Sequence, residues 1–232
     1  MNIFRILIIV LLANVLTMNA QQVNQVNAKG EKEGVWIKYF DNGKIKYEGQ
    51  FHMDRPTGTF TYYFKKGDVK ATSVFSDDGV ISRTTTYYEG GKLMAEGKYV
   101  NQQKDSVWNY YLNEESNPLV SSETYRNGVL NGESITYYPD SGKPAEILIL
   151  VDGKKNGKLL KYFPDGQLMT ESYYKDGMPD GNFTHYHPDG KVQIQGRYYN
   201  GRQAGEWKYF DENGKPVDKD EFMKQDEVEE IE

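Results

Sequence analysis

Histidine is the residue type whose spacing in this chain comes closest to a metal-binding site. Two of the three histidines, His185 and His187, stand two residues apart in a stretch rich in β-forming residues. Residues two apart in a strand lie on one face, so both imidazoles could bind one zinc ion. No third nitrogen or sulfur ligand and no patterned carboxylate accompanies the pair. We therefore interpret both side chains as structural, and we predict no metal site.

Other reactive patterns are missing from the sequence. The chain has no Cys, which excludes a cysteine nucleophile and disulfide bonds. It also lacks a Gly-x-Ser-x-Gly elbow and a phosphate-binding loop. Asp41, Asp165 and Asp189 could suggest calcium, but each stands in a turn near a Gly, where the carboxylate has a backbone role. We expect a protein that is not an enzyme and that uses no cofactor.

The charge distribution restricts the possible partners. The formal net charge is −6, and most of it lies between residues 217 and 232, where eight acidic residues face two lysines. The rest of the chain is close to neutral. It lacks the basic surface that nucleic-acid binding requires, so we predict no nucleic-acid partner, and anionic membrane surfaces are disfavoured for the same reason.

Residues 1–20 have the composition of a secretory signal peptide. Arg5 supplies a positive charge, residues 6–16 are apolar apart from Asn14, and Ala20 precedes a plausible cleavage site. The apolar run is shorter than the roughly 20 residues of a membrane span. We predict a protein secreted or held in the periplasm or cell envelope, with no membrane span in its mature form. An uncleaved anchor or a buried strand is the alternative.

A repeat of about 24 residues organises the rest of the chain, after a cap or linker at residues 21–33. We number eight units by their first residues: Gly34, Gly58, Ser82, Ser106, Gly132, Gly157, Gly181 and Gly205. Five residues after each start, at position +5, stand Tyr39, Tyr63, Tyr87, Tyr111, Tyr137, Tyr162, Tyr186 and Phe210. At position +2 stand Trp36, Phe60, Thr84, Trp108, Ser134, Leu159, Phe183 and Trp207. An aromatic ring at +5 in every unit predicts Tyr-rich strands.

Two turns in each unit predict a β-hairpin array. Six units carry a turn glycine nine residues after the start: Gly43, Gly67, Gly91, Gly166, Gly190 and Gly214. A second turn follows the next aromatic strand, as at Asn127-Gly128 and Asn200-Gly201. Short strands joined by tight turns form an antiparallel meander, because parallel neighbours need long crossovers. We predict an all-β, elongated, single-layer antiparallel meander of about eight hairpin repeats, ending at residue 216.

The sequence leaves the two faces of this sheet unresolved. Positions +2 and +5 point to opposite faces of a regular strand. Either both faces carry aromatic rings, or a bulge resets the alternation. Residues 147–151 are the most aliphatic run and are predicted to be the best-buried strand. Residues 113–120 predict a longer loop, and the acidic tail at 217–232 predicts a frayed helix or coil.

The repeat resembles a known family. Residues 34–51, GVWIKYFDNGKIKYEGQF, are similar to the MORN repeat in its bacterial variant form, approximately G-x-W-x-x-Y-Y-x-x-G-K-x-x-x-E-G-x-Y. The pattern recurs in units 3, 6, 7 and 8 and covers roughly residues 30–216. The resemblance implies a β-hairpin array used as an interaction scaffold. Proteins with this variant repeat are often labelled YwqK-family antitoxins, a role that would require a cytosolic protein.

We therefore expect an exported, non-enzymatic scaffold that binds a protein or an envelope component. The candidate interaction surface comprises Trp36, Tyr62, Trp108, Tyr110, Tyr186, Trp207 and Tyr209, since amphipathic aromatic side chains suit interfaces. A glycan or cell-wall binding module and an antitoxin-like protein are the alternatives. A hydrolase would require a pocket that gathers two carboxylates near His185.

Overall fold

The fold is a succession of short strands, and the computed structural model describes them in residues 22–76 and 78–223. The predicted signal peptide and most of the acidic tail lie outside these residues. The strands are β1 Gln25–Val26, β2 Lys32–Tyr39, β3 Ile45–His52, β4 Arg55–Tyr63, β5 Val69–Phe75, β6 Ile81–Tyr87, β7 Leu93–Val100, β8 Gln103–Tyr111, β9 Leu119–Arg126, β10 Val129–Tyr137, β11 Pro144–Val151, β12 Lys154–Tyr162, β13 Leu168–Lys175, β14 Met178–Tyr186, β15 Val192–Tyr199, β16 Arg202–Phe210 and β17 Pro216–Val217.

Each strand pairs antiparallel with the next one along the chain, and together they form one open sheet of 17 strands. Extensive contacts join only strands that are neighbours in sequence. This arrangement confirms the predicted antiparallel meander. The eight unit starts lie in the even-numbered strands from β2 to β16, so each unit contributes one hairpin.

Two kinds of turn alternate along the sheet. Within six of the eight units, a five-residue connection closes with paired backbone bonds, as where Phe40 N donates to Lys44 O at 2.8 Å. Six of the seven connections between units are two-residue turns with both residues at positive φ, for example Asn127 at 50° and Gly128 at 78°, whereas five residues join β5 to β6. These angles are those of a type I′ turn, whose twist matches that of the flanking strands. The Asn-Gly and Asp-Gly pairs therefore serve the geometry that their sequence predicts.

The strand registers sort the side chains into two faces, because paired residues share a face and residues alternate along a strand. The ring face carries the +2 residue and the second-strand aromatic, such as Phe60 and Phe75. The polar face carries the +5 tyrosines, such as Tyr63, which follows Tyr62 by one residue. Both faces thus hold aromatic rings, which was the first of the two alternatives.

A bulge is also present, but it lies in the second strand of the hairpin. The register shifts by one residue just before the +5 aromatic in seven units: Lys38/Tyr39, Tyr62/Tyr63, Thr86/Tyr87, Tyr110/Tyr111, Thr136/Tyr137, Lys161/Tyr162 and His185/Tyr186. In unit 2, Tyr62 faces Ala71 and Tyr63 faces Val69, which leaves Lys70 as the extra residue. The second strand therefore bends at this residue. A further register irregularity lies near the starts of units 2, 4, 5, 6, 7 and 8.

The core lies on the ring face. The buried residues are Gly49, Phe60, Ser73, Ser82, Thr84, Ala95, Trp108, Leu150, Leu159, Thr170, Ser172, Tyr209 and Phe222, and the registers place those in the strands on this face. One correction concerns residues 147–151, since only Leu150 is buried there and Val151 is exposed. Because β11 alternates between faces, Ile147 and Ile149 lie on the polar face.

Both ends of the array have their own caps. At the start, β1 pairs with β2, and Asn24 N donates to Val35 O at 2.8 Å. At the end, a helix occupies residues 219–223, with Asp218 Oδ1 accepting from Glu221 N at 2.8 Å. The helix places the Phe222 ring 5.2 Å from the Tyr209 ring. This end of the sheet therefore gains an aromatic contact from a helix instead of a strand.

Candidate interaction surface

A ladder of aromatic rings is the main feature of the ring face. The Phe60 ring lies between two others, with its centroid 5.1 Å from that of Phe51 and 5.2 Å from that of Phe75. Further along, Tyr198 packs 5.8 Å from Phe183 and 5.0 Å from Trp207. Most of these pairs meet edge to face, the arrangement favoured by the ring quadrupole. The second-strand ring of one unit thus joins the +2 rings of that unit and the next.

Glycines in the second strands make room for these rings. A Cβ atom on Gly49 would lie 2.4 Å from Phe60 Cδ1, and one on Gly97 would lie 2.3 Å from Trp108 Cδ2. Gly196 stands in the same relation to Trp207, again at 2.3 Å. Each of these glycines lies one unit before the ring that covers it. The glycine that follows Glu or Gln in the repeat therefore allows the ring of the next unit to pack closely, and this contact couples consecutive units.

Lysines cover the rings from one end of the strands, a feature that the sequence reading missed. Lys32 Nζ lies 4.6 Å from the Phe51 ring centroid, and Lys155 Nζ lies 5.1 Å from that of Tyr174. Lys104 Nζ lies 4.7 Å from the Trp108 centroid. All three lysines stand two residues before a unit start, and that recurring position was the available signal. These contacts have the geometry of cation–π interactions.

Lys104 lies within a cluster of aromatic rings on the ring face. Its Nζ atom lies 4.9 Å and 5.0 Å from the ring centroids of Tyr110 and Tyr125, and it donates to Tyr110 Oη at 2.6 Å. Burial lowers the pKa of Lys104. Burial, together with the Tyr125 hydroxyl, raises the pKa of Tyr110. The cluster is thus an aromatic cage that the chain fills with its own ammonium group.

The structure places six of the seven predicted interaction residues on the ring face. Trp108 retains only 2% of its surface exposed and Tyr209 is also buried, so both are packing residues. Trp36, Tyr62, Tyr110 and Trp207 are partly exposed on the same face, whereas Tyr186 lies on the polar face. The predicted residues therefore do not form one continuous row. Their role in binding stays a prediction.

The six turn glycines all lie in the turns that close the hairpins. Their φ angles are all positive, between 79° at Gly214 and 111° at Gly67. The nearby aspartates bond to the backbone, as where Lys191 N donates to Asp189 Oδ1 at 3.0 Å. Gln167 N donates to Asp165 Oδ1 in the same way, at 2.9 Å. These carboxylates hold the turns in shape.

The histidines each have a local partner. Thr170 Oγ1 lies 2.8 Å from His185 Nδ1, and Phe210 O lies 3.3 Å from His187 Nε2. His52 Nδ1 lies 2.9 Å from Glu33 Oε1. Residues 22–76 and 78–223 contain no group of three or more His, Asp or Glu side chains arranged to hold a metal ion. His185 and His187 thus each contact a residue of another strand or its end.

The ring ladder is interrupted where position +2 carries no aromatic ring, at Thr84 in unit 3, Ser134 in unit 5 and Leu159 in unit 6. A groove of about 370 Å³ opens at unit 3 on the ring face. Its sides include Tyr62, Phe75 and Tyr99, and its floor includes Ser73, Ser82 and Thr84. The floor hydroxyls of Ser73 and Thr84 lie 2.8 Å apart and share a hydrogen bond. None of the side chains that line the groove is charged.

The polar face carries hydrogen-bonded and charged pairs. The +5 tyrosine of one unit reaches back to a glutamate of the previous unit, since Tyr111 Oη donates to Glu96 Oε1 at 2.8 Å. Burial and this carboxylate raise the pKa of Tyr111 to about 12. Lys98 Nζ also lies 2.9 Å from Asp105 Oδ1, and this ammonium lowers the pKa of Asp105.

Apolar side chains lie exposed among these polar groups in units 2 to 4. Val74, Val107 and Ile81 keep 54%, 51% and 42% of their surfaces exposed, and the registers place them on the polar face. Around them lie Arg83, Glu96 and Lys98, which line a shallow depression with Val107. We call the surface formed by these six residues and Asp105 the mixed patch.

No helix in the described part of the chain is long and apolar enough to span a membrane. No curated protein matches the sequence. Among solved structures, TarM is similar over 43% of this chain and 19% of its own, with 13% identity and a TM-score of 0.32. An S. aureus TarM mutant in complex with fondaparinux, α-GlcNAc-glycerol and UDP gives the same coverage, with 12% identity and a TM-score of 0.32. The TcdB2-TccC3 structure covers 80% of this chain and 12% of its own, with 11% identity and a TM-score of 0.22.

The chain therefore spans less than a fifth of the length of these structures. The family comparison is more informative, because it follows the repeat. The family described as MORN repeat variant matches residues 32–53, 83–101, 155–176, 179–200 and 203–223. These segments correspond to units 1, 3, 6, 7 and 8, and the unmatched units include the two with lengthened spacing. Five of the eight hairpin units thus match the MORN repeat variant.

Proposed function

We propose that the protein is a non-enzymatic scaffold that binds another protein through the mixed patch. The observation that supports this role is the exposure of Val74, Ile81 and Val107 among charged side chains. Most apolar side chains of the ring face pack against one another, whereas these residues remain in water at a thermodynamic cost. Apolar groups surrounded by polar ones are typical of protein interfaces.

The charges of the mixed patch favour a protein partner of mixed composition. Arg83 and Lys98 stand near Glu96 and Asp105, so the patch has no strong net charge. A neutral patch does not attract the phosphate backbone of a nucleic acid. Apolar contacts would supply the affinity, and the charged pairs would set the orientation.

Affinity capture from cell-envelope fractions tests this proposal. The mature protein serves as bait beside the double variant Val74→Glu/Val107→Glu, which places charges in the middle of the patch. Val151→Glu/Met178→Glu is the matched control, since these residues are similarly exposed, at 44% and 48%, but lie in units 5 and 6. We expect a specific protein to be retained by the wild type and the control and lost from the patch variant, with unchanged circular dichroism. Equal retention by all three proteins would contradict a role for the patch.

We also propose that the protein is exported, on the basis of the signal-like composition of residues 1–20. Determining the N-terminal sequence and cellular location of the mature protein tests this part. Cleavage near Ala20 is the expected result. A full-length cytosolic chain would contradict export and would favour the antitoxin-like role instead.

A further inference from the structure

The groove at unit 3 lies at a place where other units hold one ring. In unit 2 the +2 ring of Phe60 fills the space between Phe51 and Phe75. In unit 3 the corresponding flanking rings belong to Phe75 and Tyr99, which are both paired with Ser82 in register. Thr84 stands where Phe60 stands in unit 2, and its side chain is too short to fill the space. The two flanking rings therefore set the width of the space that a ligand would occupy.

The spacing of the two flanking rings suits a third ring between them. Phe75 and Tyr99 lie two strand spacings apart, which is roughly 10 Å. Rings in favourable contact have centroids about 4.5–7 Å apart, so a ring with one neighbour on each side needs roughly 9–14 Å. One planar or nearly planar ring fits, and two stacked rings do not. The groove volume of about 370 Å³ lies at the small end of ligand sites.

The chemistry of the groove favours a hydroxylated ring. Aromatic side chains offer their faces to the C–H groups of a sugar, and the hydroxyls of Ser73, Ser82 and Thr84 can exchange hydrogen bonds with sugar hydroxyls. A purely apolar ring would offer these hydroxyls no hydrogen bond beyond the one that Ser73 and Thr84 already share. The uncharged lining offers nothing to balance a uronic acid or a phosphate.

We propose that this groove binds one uncharged hexopyranose unit of a glycan, held between Phe75 and Tyr99. The site is independent of the mixed patch, which lies on the opposite face of the sheet. The two proposals therefore succeed or fail separately.

Titration calorimetry of the protein with chitohexaose, maltohexaose and laminarihexaose tests the proposal. At least one of these neutral hexasaccharides is expected to bind. The variant Thr84→Phe should weaken that binding at least tenfold, because the new ring would occupy the groove. Phe183 already lies opposite Ser172 in unit 7, so a phenyl ring opposite Ser73 has a precedent in the fold. The melting temperature of Thr84→Phe should stay close to that of the wild type, because new ring contacts offset the lost Ser73–Thr84 hydrogen bond.

A second pair of variants separates loss of the site from loss of structure. Tyr99→Ala removes one side of the groove and should also weaken binding at least tenfold. Tyr174→Ala removes the corresponding ring of unit 6, outside the groove, and should leave binding unchanged. Failure of all three hexasaccharides to bind overturns the proposal, as does unaltered binding by Thr84→Phe. Preferential binding of N-acetyl-phenylalanine amide would also overturn it, because the groove would then recognise a protein side chain.

Discussion

At the scale of single residues, the repeat depends on glycines that have no special backbone conformation. Gly49, Gly97 and Gly196 lack positive φ angles, unlike the turn glycines. They are small because a ring from the next unit lies directly on them. Close packing of this kind leaves no space for even one added methyl group. Coupling between units is therefore encoded by a pair of residues 11 positions apart, such as Gly97 and Trp108.

The substitution Gly97→Ala tests this coupling. The added Cβ would lie 2.3 Å from Trp108 Cδ2, so the indole must move out of its buried position. We expect a loss of about 1–3 kcal/mol in the free energy of unfolding, measured by urea denaturation. The same substitution in a Trp108→Leu background should cost less, because the smaller side chain can yield. An equal cost in both backgrounds would show that the two residues are not coupled.

The hydrogen bond between Tyr111 and Glu96 predicts a loss of stability at high pH. The pKa of Tyr111 is about 12 in the folded protein, against about 10 in an unfolded chain. A raised folded pKa means that this contribution is complete below pH 10 and falls as the pH rises through 12. The stability difference between the wild type and Tyr111→Phe should therefore be constant up to about pH 10 and shrink above it.

Urea denaturation from pH 8 to 12 measures this difference. Glu96→Gln is the matched control, because it removes the carboxylate while leaving the ring in place. In that background the pKa of Tyr111 should lie closer to 10, so its contribution to stability should change over a narrower pH range. A difference between the wild type and Tyr111→Phe that stays constant to pH 12 would contradict the assignment.

At the scale of the strand and turn, the type I′ turns share one backbone geometry but are built from residues that differ in how well they tolerate positive φ. Asn127-Gly128 suits positive φ at both positions, whereas the equivalent turn of unit 3 is Asn101-Gln102, with Gln102 at φ 64°. A side chain other than Gly, Asn or Asp is strained in this region. The turns thus differ in local stability although their backbones are alike.

Reciprocal substitutions test the contribution of these turns. Gln102→Gly should stabilise the protein by about 1 kcal/mol and Gly128→Gln should destabilise it by a similar amount. Thermal unfolding of both variants provides the measurement. Changes of the same sign in the two variants would rule out turn strain as the cause.

Turn chemistry also explains how much of the fold could be predicted from the sequence. The spacing of Gly43 and its counterparts predicts the hairpins and hence the antiparallel meander. The faces could not be assigned, because the bulge lies at residues such as Lys70 that have no distinctive type. The groove at unit 3 depends on the absence of a ring at Thr84, which a repeat pattern treats only as variation. The burial of Trp108 could not be predicted from the sequence either, because the exposure of a side chain depends on the size of its neighbours on adjacent strands.

The end of the array contains a regularity that the sequence reading passed over. Phe222 lies 17 residues after Gly205, the spacing that separates Phe51 from Gly34 and Phe75 from Gly58. The family match to the last unit likewise extends to residue 223. The ring therefore keeps its place in the repeat and its position against the core, although a helix delivers it. In this last unit, the repeat spacing therefore places a buried ring but does not require a strand to carry it.

At the scale of the whole molecule, stability should accumulate unit by unit. Each strand makes its extensive contacts with its sequence neighbours, so no central core depends on every unit at once. The protein should consequently still fold after the loss of one complete unit. It should not fold correctly when a deletion shifts the alternation of side chains between the two faces.

Two internal deletions test this expectation. Removing residues 160–183 joins Leu159 to Thr184, so each later residue takes the place of its equivalent in the previous unit. This protein should fold, with an m-value in urea lower by about one eighth. Removing residues 160–182 instead joins Leu159 to Phe183 and shifts the alternation by one residue. Phe183 would then point to the polar face, and every later ring would follow it unless a new bulge formed.

The two deletion variants should differ strongly in their free energies of unfolding. A core side chain moved into water loses roughly 1.5–3 kcal/mol, and the 23-residue deletion displaces Phe183, Tyr198 and Trp207 together. We expect its C-terminal units to unfold, with loss of hydrogen-exchange protection after residue 183, while β2 to β10 remain protected. Similar stability and protection in both deletion variants would mean that the sheet absorbs phase changes. The alternation of rings and glycines would then be dispensable for joining the units.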